Sequence, residues 1–132
     1  ILSQPGPLNF AKANLRYTNL IEANLKGANL SDADLYEADL SDATLIGANL
    51  ERAQMIYANL CVADLKGADL HYANLKGADL SYANLDGANL DGADLSNANL
   101  DGAVLSGAKY TKNTYWPSSG FDPVKAGAIL VP

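Results

Sequence analysis

Alanine and leucine recur along this chain with a fixed interval of five. Alanine stands at every fifth position from Ala13 to Ala108, interrupted only by Thr18. Leucine follows two places later from Leu15 to Leu105, interrupted only by Met55. The residue between them is usually Asn or Asp, and two mostly polar positions complete the unit. Typical copies read Ala28-Asn29-Leu30-Ser31-Asp32 and Ala68-Asp69-Leu70-His71-Tyr72. A repeat this regular dictates an architecture before any other signal is weighed.

A period of five excludes both straight elements. An α-helix turns ~100° per residue, so five residues overshoot a full turn by ~140° and scatter the leucines around the axis. A straight strand alternates faces, which would put Leu25 inside and Leu30 outside. Both conflicts vanish if the chain bends once in every repeat. Ala28 and Leu30 then point inward from a short extended segment, Asn29 points outward, and Ser31-Asp32 make a corner. Ala28, Leu30, Ala48 and Leu50 are therefore expected to be buried, and Asn29 and Asn49 not. Gly27, Gly47, Gly67, Gly87 and Gly107 recur at twenty residues in the second corner position. A fifteen-residue coil would instead align Gly27 with Asp42 and Tyr57, so four repeats per coil is the better reading. Glycine suits the third position of a type II turn, where φ is positive. Corners with Glu37, Tyr57 or Val62 at that place are expected to use another turn form.

The word Ala, Asn or Asp, Leu and two variable positions resembles the pentapeptide-repeat family over roughly three quarters of the chain. That resemblance implies an all-β solenoid, the right-handed quadrilateral parallel β-helix. Twenty-residue coils at ~4.8 Å each give about five coils and a rod ~24 Å long. The segment Trp116-Pro117 and Gly120-Phe121-Asp122-Pro123 resembles the tails of small cyanobacterial members. Three regions are expected: a lead-in over 1–7, the repeat β-helix over 8–110, and a C-terminal cap over 111–132. Phe10 and Tyr110 take leucine slots in the terminal coils, where a larger ring plugs the open column. The sequence pattern stops after Tyr110. Asp122-Pro123 reads as a helix start, with Asp as N-cap and Pro in the first turn. A short helical cap folded over the last coil is therefore expected from Val124 to Val131, covering an edge that would otherwise invite pairing.

Charge and composition narrow the function classes. The 132 residues carry 15 acids against 9 bases, a formal charge of −6, whereas a nucleic-acid binder should show a basic patch. No run of some 18 apolar residues is present, so no membrane span is expected. One cysteine excludes an intramolecular disulfide, although some lumenal relatives in the family carry one. The chain begins with Ile1, and no signal peptide is visible at its start. A cytoplasmic setting is favoured, with periplasm and thylakoid lumen left open, and a monomer is favoured over a dimer.

Catalysis finds no constellation to work with. Cys61 and His71 lie ten residues apart, half a coil, so the leucine core separates them and no nucleophile–base dyad can form. A lone Cys and a lone His supply no zinc site. Asp86-Gly87 and Asp91-Gly92 lack the glycine-rich nonapeptide pattern of calcium repeats. Neither cofactor nor metal is expected. In the outward column Asn19, Asp39, Asn59, Asp79, Asn99, and in its three counterparts, no two Asp residues stack directly, which suits amide–carboxylate ladders. Stacking by twenty also sets Glu51 and Asp91 on either side of His71.

What remains is a surface. One edge of the face centred on Asn19, Asp39, Asn59, Asp79 and Asn99 carries Tyr17, Tyr36, Ile56 and Tyr57, and the other carries Ile21, Cys61, Val62 and Tyr82. Outward aromatic and apolar side chains gathered on one face mark an interaction surface. Tyr17, Tyr36, Ile56, Tyr57, Cys61, Val62 and Tyr82 are the candidate partner-binding residues, with Asp39 and Asp79 giving polar register. The expected role is a non-catalytic scaffold for an unidentified protein partner. The alternative implied by the family resemblance is DNA mimicry directed at a type II topoisomerase. Acids interrupted by amides and by Lys66 and Lys76 weaken that alternative.

Overall fold

The computed structural model describes residues 6–118 and 120–132. The lead-in expected over 1–7 lies outside the described residues as far as Pro5. From Leu8 the chain is already in the coil, since the Leu8 carbonyl accepts from the Asn29 N–H at 2.8 Å. Each Ala-Xaa-Leu segment forms one side of a square turn and pairs in parallel with the segment twenty residues on. Asn9 pairs with Asn29, Asn29 with Asn49 and Asn49 with Asp69, and the other three sides keep the same register. Four sides per coil is the observed arrangement.

One repeat shows why five residues suffice. In Ala48-Asn49-Leu50-Glu51-Arg52 the Asn49 N–H donates down to Ala28 O (2.9 Å), and the Leu50 N–H donates up to Asp69 O (2.7 Å). Arg52 N–H donates up to His71 O (2.9 Å), and Ala48 N–H closes the preceding corner onto Leu45 O (3.0 Å). Only the Glu51 N–H lies outside this ladder, and the Asn49 side chain accepts it at 3.0 Å. All five donors are satisfied, as buried backbone requires. The Asn or Asp of each repeat therefore serves its own corner as an Asx turn. Asn29 does so for Ser31, Asp69 for His71 and Asn84 for Asp86. The expected amide–carboxylate ladders along the stack form only as isolated rungs, Asn84 Nδ2 to Asp64 Oδ1 (3.2 Å) and Asn89 Nδ2 to Asp69 Oδ1 (3.4 Å). They do not form along the Asn19–Asn99 column, whose side-chain oxygens bond within their own corners.

The corners do not divide into glycine and non-glycine forms. Glu37, Tyr57 and Val62, expected to need another turn, have φ of 52°, 58° and 61°, beside 64° at Gly47. The ladder explains the correction. The second corner N–H points up the stack wherever a further coil follows in register, so the repeat corners from Lys12 to Gly107 share the left-handed conformation whatever residue occupies them. The local cost to a side chain there, about 1–2 kcal/mol, is outweighed by hydrogen bonds and core burial on both sides.

Leucines and alanines fill the coil as a single column. Ala28, Leu30, Ala48 and Leu50 are completely buried, as are Met55 and Leu70, whereas Asn29 and Asn49 are half-buried. Full burial of one such leucine contributes about 1.5–3 kcal/mol.

The C-terminal end departs from expectation. No helix forms among the described residues. Asp122 does cap, its Oδ1 accepting from Lys125 N at 3.1 Å, but a single turn follows before Gly127 (φ 96°) redirects the chain. Ala128-Ile129-Leu130 is a further copy of the repeat word, and it returns to the twenty-residue register. Strand β1 (Lys109–Tyr110) pairs in parallel with strand β2 (Ile129–Leu130), Lys109 opposite Ile129 and Tyr110 opposite Leu130. The template of unpaired groups on β1 thus overrides a short helical propensity that tertiary packing does not reward. The coil also runs on past Tyr110. One extra residue at the corner puts Tyr115 opposite Asp94, with Thr114 in an alanine slot and Trp116 in a leucine slot. Tyr110, Trp116 and Phe121 close this end of the column, with ring centroids 5.3 and 5.1 Å apart.

Candidate interaction surface

A square coil turns its corner residues toward solvent, so the identity of those residues alone decides the chemistry of each edge. On the first edge of the candidate face the structure brings three tyrosines into one ladder. Tyr17 meets Tyr36 edge-on at 5.7 Å, and Tyr36 meets Tyr57 edge-on at 6.1 Å. Such contacts contribute about 0.5–1.5 kcal/mol each beyond burial. Tyr17 and Tyr57 remain 64% and 57% exposed, while Tyr36, between them, and Ile56, beside Tyr57, are half-buried.

Arg16 completes this edge and was not among the residues singled out from sequence. Its guanidinium lies 4.6 Å from the Tyr36 ring centroid and 5.7 Å from that of Tyr17, and Nη1 reaches Asp34 Oδ2 at 3.2 Å. The signal was available, because Arg16 precedes Tyr36 by one coil in the same corner column. Burial first, and then the neighbouring Glu37 carboxylate, push the Tyr36 phenol above its ordinary pKa. The tyrosine thus stays a neutral hydrogen-bond donor.

The second edge is separate. Val62 and Tyr82 are exposed with Ile21, while Cys61 is half-buried, the Ser81 hydroxyl lying 3.4 Å from its Sγ. The Tyr82 ring does not join the tyrosine ladder; it leans over Gly102 in the next coil. Between the edges, Asp39 and Asp79 each use Oδ1 on a local serine. Asp39 accepts from Ser41 N and Oγ at 3.0 and 2.7 Å, and Asp79 from Ser81 N and Oγ at 2.9 and 2.6 Å.

Other polar groups serve the stack. His71 Nδ1 stands 3.2 Å from Asp91 Oδ2 without the alignment of a hydrogen bond. Asp91 Oδ1 accepts from Thr111 Oγ1 at 2.6 Å, and Glu51 turns to Arg52 at 2.9 Å instead of to His71. Among the described residues no three His, Cys, Asp or Glu side chains converge as a metal site, and no helix is long and apolar enough to cross a membrane. A groove of about 600 Å³ lies away from the tyrosine face, beside the C-terminal strand and lined by Asp91, Thr111, Lys112 and Leu130 among others.

Comparison with known proteins agrees with this geometry. The family model described as pentapeptide repeats matches in eight copies over residues 9–45, 43–81 and 78–109. No curated protein matches. Among solved structures, the chain is similar to Rfr23, a pentapeptide repeat protein from the cyanobacterium Cyanothece 51142. The identity is 36% and the TM-score 0.81, covering 83% of this chain and 88% of that one. It is similar to alr5209, a pentapeptide repeat protein from Nostoc PCC 7120, at 42% identity and a TM-score of 0.65, covering 82% and 84%. A third, HetL from Nostoc sp. strain PCC 7120, is involved in heterocyst differentiation regulation. It shares 33% identity at a TM-score of 0.58, covering 89% of this chain and 65% of HetL. None of these matches is to a family of enzymes. The chain belongs to the pentapeptide repeat family, and its square coil is that family's right-handed quadrilateral β-helix.

Proposed function

We propose that this protein is a non-catalytic interaction module, a rigid rod that acts as a single chain and docks one protein partner. The partner meets the face bounded by Tyr17, Tyr36, Ile56 and Tyr57 on one edge and by Cys61, Val62 and Tyr82 on the other. The tyrosine ladder carries this reading. Rings held edge-on to one another, with most of Tyr17 and Tyr57 still in solvent, present large apolar area at little further cost in conformational entropy. Aromatic anchors of this kind dominate binding energy at interfaces. HetL, similar in fold, has a part in regulation, which accords with binding in place of chemistry.

The test is affinity capture from a lysate of the source cell, using wild type and a Tyr17→Ser/Tyr57→Ser/Val62→Lys variant. The partner retained by wild type should be lost from the variant and kept by a Lys66→Glu control, with all three proteins equally folded. Equal retention by the triple variant removes this face from consideration. DNA mimicry is the runner-up. It requires carboxylates free along a continuous line, whereas Asp39 and Asp79 alternate with amides and commit one oxygen to their own corners. Inhibition of topoisomerase supercoiling by wild type and not by an Asp39→Asn/Asp79→Asn variant would establish that second reading.

A further inference from the structure

The tyrosine edge has a repeat length as well as a chemistry, and, if this face is the docking site, that length selects among partner segments. Tyr17 and Tyr57 occupy the same corner column two coils apart. Parallel neighbours lie ~4.8 Å apart, so the two anchor points are separated by ~9.6 Å along the rod. Tyr36 sits between them, edge-on to both and less exposed. The edge therefore offers two raised rings with an aromatic floor between.

Backbone geometry discriminates among ligands that could lie along it. A β-strand repeats a face every ~6.7 Å and an α-helix repeats a turn every ~5.4 Å, and neither interval matches the rings. A polyproline II helix advances ~3.1 Å per residue with three residues per turn, a repeat of ~9.3 Å. Its carbonyls make no internal hydrogen bonds, and the exposed phenols of Tyr17 and Tyr57 are donors.

Charge favours a basic ligand. Of the two cations in this corner column, Arg16 is committed to Asp34 and to the Tyr36 ring, and Lys76 stands exposed one coil beyond Ile56, outside the span from Tyr17 to Tyr57. Glu37 stands exposed in the column between Tyr17 and Tyr57, with Glu22 and Asp42 exposed across the face. Among the described residues none of these three carboxylates enters an ion pair. We propose that the Tyr17–Tyr36–Tyr57 edge binds a proline-rich, arginine-bearing protein segment in the polyproline II conformation. The segment lies parallel to the rod axis, with residues three apart against Tyr17 and Tyr57.

A fluorescein-labelled twelve-residue peptide with two Pro-X-X-Pro turns and an arginine at each end is the probe, read by anisotropy against the full chain. Binding should weaken at least tenfold for the peptide with alanine at every proline, and again for the peptide with glutamate at both arginines. It should weaken at least tenfold for Tyr17→Ser/Tyr57→Ser and for Glu37→Lys. Tyr72→Ser, an exposed tyrosine on another edge, should bind as wild type does, and added salt should weaken binding. Matching circular dichroism and thermal transitions exclude misfolding of the variants. No preference for the proline peptide over its alanine version, or undiminished binding by Tyr17→Ser/Tyr57→Ser, overturns the proposal. If the peptides fail while the captured partner is still lost from the Tyr17/Tyr57/Val62 variant, the face stands as a docking site and the proline-rich ligand falls. If both fail, the face falls with it.

Discussion

The ring of Tyr72 lies across Gly92, one coil further on, in the space that a β-carbon at Gly92 would occupy. The same relationship joins Tyr57 to Gly77 and Tyr82 to Gly102, where an added Cβ would come within 2.5 Å of the ring. A side chain leaving the second corner position leans toward the following coil, and a large ring reaches the next corner. Gly47, with equally positive φ (64°), has no such neighbour. Two kinds of corner glycine therefore exist, and substitution separates them. Gly47→Ala should cost about 1 kcal/mol, the penalty of a left-handed alanine. Gly92→Ala should cost about 1 kcal/mol more, because the Tyr72 ring must swing into solvent and lose its contact. In a double-mutant cycle by urea denaturation, Tyr72→Ala should abolish the difference; equal costs with and without Tyr72 would sink this account.

The core responds to volume. Leu70→Ala should destabilise by about 2–5 kcal/mol, since a fully buried column between rigid coils has little freedom to collapse. Met55→Leu restores the repeat word at nearly constant volume and should change stability by less than about 1.5 kcal/mol in either direction. Midpoints of chemical denaturation decide both.

The outward acids are structural acceptors before they are charges. Asp79→Ala leaves the Ser81 N–H without its acceptor and the largely buried Ser81 hydroxyl with only the weak acceptor Cys61 Sγ, at about 1–3 kcal/mol. Asp79→Asn keeps that oxygen and should cost much less. A similar loss in both variants would show that the carboxylate's charge, and not its hydrogen bonds, matters here.

Asp32 gives a pH signature. Hydrogen bonding from Arg52, with Nε 3.0 Å from Oδ1, holds its carboxyl below the ordinary value, while partial desolvation opposes the shift. A carboxyl depressed in the folded state contributes stability above its unfolded pKa, and that contribution is lost as pH falls through the folded pKa. The pair is exposed, so the effect on stability is small. An NMR titration should show the Asp32 midpoint rising in Arg52→Ala. The stability difference between that variant and wild type should shrink in strong acid. An unmoved midpoint would show that Arg52 does not hold the carboxyl.

The C-terminal aromatics hold the end of the column. Trp116→Ala should expose the underlying coil and lower the thermal midpoint, whereas Trp116→Phe should retain most of it. Equal midpoints for Trp116→Ala and wild type would show that β2 covers this end without the ring.

The period of Ala and Leu, with the twenty-residue spacing of the corner glycines, determined the bent repeat, the square coil and its core residues. It could do so because a five-residue period suits neither a helix nor a straight strand, and burial of two residues in five admits few alternatives. Tertiary structure decided the rest. Glu37, Tyr57 and Val62 share glycine's left-handed corner because the coil above demands a donor there, a requirement invisible in a single turn. Asp122 caps a turn that never becomes a helix, because β1 offers Ala128-Ile129-Leu130 an edge worth more than one helical turn. Arg16 joins the tyrosine edge, and Tyr72 claims Gly92, through contacts twenty residues apart. Local sequence sets what each repeat can do; the neighbour one coil away chooses among those options, since it supplies half of every ladder and one wall of every corner.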